Sequence, residues 1–291
     1  MAKNDLIIIG AAAVAALGGY YAYSQGYLGD IGTKIKEAID GILGGGGGDE
    51  GETPAPPPAV KSFVAAGEFG GAMAAPVVDA MIRSKPDLIV GLGNYDNNEG
   101  LFATNVDKIK KAKIPTIWAK GADSDDYLTL FEQEEWELKY EPTDIVFCIL
   151  SSANPTTLED MLKTSAAKWK VVIINSPLYS PSSKYGQDVT AQEKLMPILT
   201  KYKVPLVLSA RNALYFRYIP KGGPNTTSGV TFVGVGTATD KFSGSGSPNG
   251  ATKIVQGKTG YLSVSVGNNL DCKFLTPTGA VLDQFTVFEW K

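Results

Sequence analysis

Apolar positions between residues 62 and 210 gather into six short runs rich in β-branched and aromatic side chains: SFVAAGEF, PDLIVGLGN, IPTIWAKG, TDIVFCILS, KVVIINSP and VPLVLSA. Most of them end in Gly, Asn, Ser or Ala. Between them lie stretches with helical spacing of apolar residues, APVVDAMIRS, NVDKIKKA, TLEDMLKTSA and AQEKLMPILTKY. Strand, helix, strand in this order predicts parallel pairing with the helices outside. The tail has another texture: GVTFVGVGT, GYLSVSVG, LDCKFLTPTG and AVLDQFTVFEW are alternating segments joined by Gly, Asn and Pro turns, which predicts antiparallel strands. Residues 61–291 therefore read as one mixed α/β sandwich, with ligands expected at the carboxyl ends of the parallel strands.

Ahead of this domain, residues 6–23 form an uncharged run of 18 residues, LIIIGAAAVAALGGYYAY, at the short end of what spans a bilayer and with a Tyr pair where an aromatic belt would lie. The region before it is short and sets only Lys3 against Asp5, and no small-x-small cleavage site precedes the polar flank. An uncleaved transmembrane helix within residues 1–25 is thus favoured over a signal peptide. Ala11, Ala15 and Gly19 form a small-residue seam along which two such helices could approach, which points to a homo-oligomer. Residues 26–43 carry Ile31, Ile35, Ala38 and Ile42 as one apolar stripe, suited equally to a partner helix and to a membrane surface. Residues 44–60 are Gly-rich, then Pro-rich, and read as a stalk. Lys3 on one side of the hydrophobic run and Lys34 and Lys36 on the other do not fix its orientation. A stalk and a large domain after an N-terminal anchor suit export, so the domain is expected outside, on a cell or virion surface.

With 291 residues, 44% hydrophobic and 20% charged, the chain has room for a sizeable core. A net charge of −3 and the lack of a basic cluster interleaved with aromatics argue against a nucleic-acid partner. The absence of histidine excludes Ser-His-Asp triads, HExxH helices and imidazole ligands. Cys148 and Cys272 read as buried free thiols, although their positions in the sequence do not say whether they meet.

The carboxyl ends of the predicted strands, in order, are GEFGG (67–71), GLGNYDNNEG (91–100), AKGADSDDY (119–127), INSPLYS (174–180) and SARNALYFRY (209–218). Together with AKWKVVIINSPLYS and the frame of LMPILTKYKVPLVLSARNALYFRY, these five loops resemble those of the calcineurin-like metallophosphoesterases, especially the purple-acid-phosphatase-like branch. The resemblance spans roughly residues 63–288. It implies a four-layer α/β/β/α sandwich, and a site in which Asp, Asn and His from the loops hold two metals. No ligand keeps the family's type in this sequence. Glu68 stands for the first Asp, Asn94 for the bridging Asp, and Ala122 and Asp123 for an Asn-His pair. Asn175 and Ser176 stand for a His pair, and Arg211 and Ala213 for the last two His.

Metal coordination lowers the pKa of water from about 15.7 to about 7, roughly 12 kcal/mol toward forming the nucleophile, whereas a positioned carboxylate base supplies about 3 to 5 kcal/mol. Asp123 does not close that gap. The expectation is a pseudoenzyme without metal or cofactor, acting in recognition, adhesion or as a structural subunit of a surface. The alternative is an active divalent-metal-dependent phosphoesterase with a carboxylate-rich site. Asp96, Asn97, Asn98, Glu99, Asp123, Asp125 and Asp126 would offer it hard oxygen ligands, although their spacing matches no EF-hand and suits two solvated acidic turns. Without cations Glu68 and Asp123 would repel, and Arg211 is expected to pair with one of them. Arg211, Asn94, Asn175 and Asn212 are also the candidate donors to a phosphorylated, receptor or glycan ligand that is bound and not cleaved. GKTG (257–260) lacks the rest of a P-loop and reads as a turn.

Overall fold

A computed structural model describes residues 59–93, 95, 99–121, 137–219, 229–239, 241–246 and 250–290. The expected anchor (1–25), the amphipathic segment (26–43) and the stalk up to residue 58 lie outside the described residues. The described chain opens with β1 (Ser62–Ala66), α1 (Ala74–Arg83), β2 (Leu88–Gly91), α2 (Glu99–Ala112) and β3 (Thr116–Trp118). It continues through β4 (Leu138–Tyr140), β5 (Ile145–Leu150), α3 (Pro155–Lys163), β6 (Trp169–Ile174), α4 (Val189–Lys201) and β7 (Leu206–Ser209). β8 (Tyr215–Tyr218), β9 (Thr231–Val235), β10 (Lys253–Val255), β11 (Tyr261–Val266), β12 (Leu270–Leu275) and β13 (Val281–Val287) complete it.

The strands form a six-stranded sheet, β13-β12-β11-β1-β2-β3, and a seven-stranded sheet, β10-β8-β9-β7-β6-β5-β4. Each has a run of parallel strands, β1-β2-β3 at one side of the first sheet and β5-β6-β7-β9 within the second. The inner strands of these runs are buried on both faces. Along β5, Ile145, Phe147 and Ile149 enter the core shared by the two sheets, while Val146, Cys148 and Leu150 meet Leu158, Met161 and Leu162 of α3 and Leu195 and Leu199 of α4. In β1, Phe63 and Ala65 face the shared core, and Val64 and Ala66 face Val77 and Met81 of α1 and Phe102 and Ile109 of α2. Phe63 and Phe147 touch edge to face across the sheets with ring centroids 5.1 Å apart. Three apolar layers thus separate four layers of structure, the expected α/β/β/α sandwich.

Three local expectations are corrected. β9 was grouped with the antiparallel tail, but it lies parallel to β7, with Leu206 opposite Thr231, and antiparallel to β8. Tyr215–Tyr218, read as part of a loop, is β8, a fully buried strand whose Arg217 interrupts the apolar pattern. β4 was not anticipated, because Lys139 and Glu141 mask it; they form a 2.6 Å ion pair largely shielded from solvent. GKTG forms part of the connection between β10 and β11, as a turn should. Both cysteines are free and buried, in different layers: Cys148 beneath the helices, Cys272 between the sheets. Burial pushes the Cys148 thiol up to about 12 and raises that of Cys272 as well.

One polar clasp crosses the shared core. Asp283 on β13 accepts from Arg217 Nε at 2.8 Å, from Arg217 Nη2 at 3.1 Å and from the Tyr215 hydroxyl at 2.7 Å, both donors lying on β8 of the other sheet. It holds β8, and with it the loop just before β8, against the far sheet.

Candidate functional site at the five-loop crest

The carboxyl ends of β1, β2, β3, β6 and β7 come together at one edge of the sandwich, and the loops after them close into a ring. The Glu68 N–H donates to Gly93 O at 3.3 Å, joining the first loop to the second. A methyl added to Gly93 (φ +89°) would lie 2.6 Å from Lys120 O and 2.9 Å from Asn175 Nδ2, so the second loop abuts the third and fourth. The Arg211 N–H donates to Asn175 O at 3.2 Å, joining the fifth loop to the fourth. A methyl on Gly67 would meet Ala210 Cβ at 2.3 Å, which closes the ring. Glycine at 67 and 93 is what permits this approach of backbones.

Aromatic packing beneath sets the height of the ring. Phe69 is buried between Tyr95 and Trp118, with centroids at 6.3 and 5.5 Å, and its carbonyl accepts from Asn105 Nδ2 at 2.9 Å. The buried Tyr95 hydroxyl donates to Ala119 O at 2.8 Å, tying the second loop to the third. Desolvation holds that phenol well above its usual pKa, against the lowering effect of a hydrogen bond with the Gly93 backbone, so it stays protonated as a donor.

Glu68, Asn175, Ser176, Arg211, Asn212 and Ala213 are all placed on this crest. Glu68 is 8% exposed and left-handed at φ +67°, a conformation costing a non-glycine residue on the order of 1 kcal/mol. Asn175 is also 8% exposed, and its Nδ2 has no hydrogen-bond partner among the described residues. Arg211 Nη1 donates to Ser176 Oγ at 2.8 Å, and the guanidinium carbon lies 5.0 Å from the centre of the Tyr185 ring. Those are the side-chain contacts of Arg211 among the described residues. The expected pairing with Glu68 is not one of them, and Asp123 lies outside the described residues with Asn94 and Ala122. Ala213 is buried and its carbonyl accepts the Ser243 N–H at 2.9 Å.

Asn212 differs from the role expected of it. Its Nδ2 donates to Ser180 Oγ at 2.8 Å and to Tyr185 O at 3.0 Å, which occupies both amide hydrogens, so it braces the fourth loop and is not available to donate to a ligand. Its Oδ1 has no partner among the described residues. Tyr185 and Ser180 were missed as site residues. Nothing in SSKYGQD marks Tyr185 as the platform for an arginine 26 positions further on. The acidic turn residues Asp96, Asn97, Asn98, Asp125 and Asp126 lie outside the described residues.

Among the described residues, the donor set does not by itself fit a pair of metal ions. The described positions offer one carboxylate, one primary amide, a hydroxyl already bonded to a guanidinium, and a methyl group. Arg211 brings a fixed positive charge to the ring, and neither Ala213 nor Ala122 has a side-chain donor. Among the described residues no group of three His, Cys, Asp or Glu is placed to hold a metal, and no helix is long and apolar enough to cross a membrane.

No protein-family model matches the sequence, and no curated protein matches it in sequence. Solved structures do match the fold. GAP50, described as the anchor in the inner membrane complex of Plasmodium, superposes with a TM-score of 0.65 at 13% identity, over 80% of this chain and 90% of its own. The purple acid phosphatase PPD1 from yellow lupin (Lupinus luteus) seeds matches with a TM-score of 0.65 at 15% identity, over 81% of this chain, which spans 55% of the lupin chain. A dimetal phosphatase from Danio rerio matches with a TM-score of 0.55 at 9% identity, over 79% of this chain and 99% of its own. The fold is that of the calcineurin-like metallophosphoesterases.

Proposed function

We propose that this chain is a membrane-anchored, catalytically inactive domain of the metallophosphoesterase fold, used for recognition or as a structural subunit of a cell or virion surface. The observation that carries the reading is the Arg211–Ser176 hydrogen bond, which puts a guanidinium among loops whose counterparts in the resembling enzymes hold cations. A hydroxyl committed to Arg211 and a methyl at 213 leave too few ligands to generate a metal-bound nucleophile, and the roughly 3 to 5 kcal/mol available from a carboxylate base does not replace it. The role as an anchor in a membrane complex, attributed to the Plasmodium protein of the same fold, supports use of this scaffold at a membrane. Residues 6–23 would insert, the seam of Ala11, Ala15 and Gly19 would bring copies together, and the domain would stand outside.

The crest then serves as a binding pocket. Asn175 Nδ2 is a buried donor awaiting an acceptor, and the half-buried Arg211 keeps donors beyond the one given to Ser176. Ligands rich in acceptors, such as glycans or phosphorylated groups, suit that pair. The test is elemental analysis of the purified full chain together with aryl phosphate turnover in the presence of added Mg²⁺, Mn²⁺, Zn²⁺ or Fe²⁺. The expected result is neither bound metal nor turnover. Metal-dependent turnover abolished by Glu68→Gln or Asp123→Asn would establish the carboxylate-rich phosphoesterase instead.

A further inference from the structure

The edge opposite the crest repeats one turn three times. After α1, α2 and α4 the chain passes through a left-handed lysine, Lys85 (φ +51°), Lys113 (φ +56°) and Lys203 (φ +53°), three residues before β2, β3 and β7 begin. Each lysine N–H returns to its own helix: Lys85 to Ile82 O at 3.0 Å, Lys113 to Lys110 O at 3.0 Å and Lys203 to Thr200 O at 3.1 Å. Each is exposed. Glycine is the residue that this position after a helix favours, and lysine there is strained. A cation beside a helix C-terminus is favourable, but the last turns already carry Arg83, Lys110, Lys111 and Lys201 for that purpose. Three left-handed lysines in the same register call for another reason.

Two more exposed lysines complete the pattern. Lys61 directly precedes β1 and Lys168 directly precedes β6, so five of the seven parallel strands are introduced by a lysine on this edge. Acids on the same edge are partly committed. The Asp87 carboxylate accepts from the Lys61 and Ser62 amides at 2.9 Å each, and Glu289 lies 3.6 Å from Lys168. Asp144 is exposed among the lysines. Residues 1–58 also join the described domain here, at the amino end of β1.

We infer that this lysine edge is a docking face for anionic lipid headgroups, which seats the domain on the membrane and turns the five-loop crest away from it. The inference rests on the proposed anchor in one respect only: the anchor would hold the edge near the bilayer, so that individually weak contacts suffice. A lysine close to an anionic surface contributes on the order of fivefold in partitioning, so three together contribute on the order of a hundredfold, lost in high salt.

The experiment uses the full chain with vesicles of phosphatidylcholine, alone or with phosphatidylserine. Amine labelling read by mass spectrometry compares Lys85, Lys113 and Lys203 with Lys184 and Lys258, which are exposed at the crest edge. The expected result is protection of the first three, about fivefold or more, on anionic vesicles only, relieved at about 0.5 M salt, with the crest lysines unchanged. Replacing Lys85, Lys113 and Lys203 together by glycine removes the charges and relieves the strain. That variant is expected to melt no lower than the parent yet to expose Lys61 and Lys168 to labelling. Equal labelling on both vesicle types, or protection that survives the triple replacement, overturns the proposal. Flotation with neutral vesicles in high salt tests the anchor separately, and protection on anionic vesicles supports the docking face whichever way that flotation falls.

Discussion

Replacing Asp283 by asparagine should be among the most destabilising exchanges of similar shape in this domain. The Asp283 and Arg217 side chains are 7% and 8% exposed and meet through two hydrogen bonds, and the Tyr215 hydroxyl gives Asp283 a third. Tyr215 is also stacked on Phe274 at 4.0 Å and Arg217 lies 4.5 Å over Phe285, so neither side chain can swing out to water without undoing the packing between the sheets. The asparagine keeps the shape and an acceptor, but it leaves a buried guanidinium without a counter-charge, at about 3 to 5 kcal/mol. For a domain of this size each kcal/mol moves the melting temperature by about 2 to 4 °C, so a fall of roughly 6 to 20 °C is expected. The pH dependence carries the same signature. Burial opposes ionisation of Asp283, but the Arg217 and Tyr215 hydrogen bonds and the Arg217 charge hold its carboxyl below the usual carboxylate range. Its stabilisation is therefore fully present above the unfolded value of about 3.9 and lost as pH falls through the lower folded value. Thermal and urea unfolding of the full chain in detergent micelles, followed by near-ultraviolet circular dichroism from pH 7 down to pH 2, reads both effects. Arg217 Nη1 is buried without a partner among the described residues, so the pair carries a desolvation cost of its own, and joint replacement by Arg217→Met and Asp283→Leu should be far milder than the asparagine alone. An asparagine variant within about 1 kcal/mol of the parent would refute the clasp as a structural element.

Two further outcomes follow from the packing. Gly67→Ala would set a methyl 2.7 Å from Gly93 O and 2.3 Å from Ala210 Cβ, so it should cost about 1 to 3 kcal/mol or more and loosen the loop ring, seen as faster amide exchange at residues 67–71 and 210–214. Cys148 and Cys272, buried in different layers with raised thiol pKa values, should resist a thiol reagent at pH 8 in the folded chain and both react in denaturant; a protein with no free thiol after denaturation without reductant would contradict the layering.

Sequence reasoning succeeded where the signal is local. Alternation of short apolar runs with helical spacing is enough to read strand, helix, strand and a mixed α/β sandwich, since a chain with that pattern has few ways to bury it; the four layers were implied by the resemblance of the five loops. It failed at β4 and β8, where charge looked like exposure: Lys139 and Glu141 pair with each other and bond to Thr164 and Ser165, and Arg217 is satisfied by the distant Asp283. β9 was misassigned because a strand does not encode the direction of its neighbour.

At the crest, the residue types alone determined that no imidazole ligand is available, because coordination depends on which atoms a side chain carries and no folding can supply an imidazole. Which groups meet was decided only by tertiary structure. Arg211 turns to Ser176 and Tyr185, Asn212 spends its amide on the fourth loop, and Asn175 is left with a buried donor that has no partner among the described residues. Hydrogen bonds are made at about 3 Å, and only the packed sandwich brings atoms separated by tens of residues to that distance.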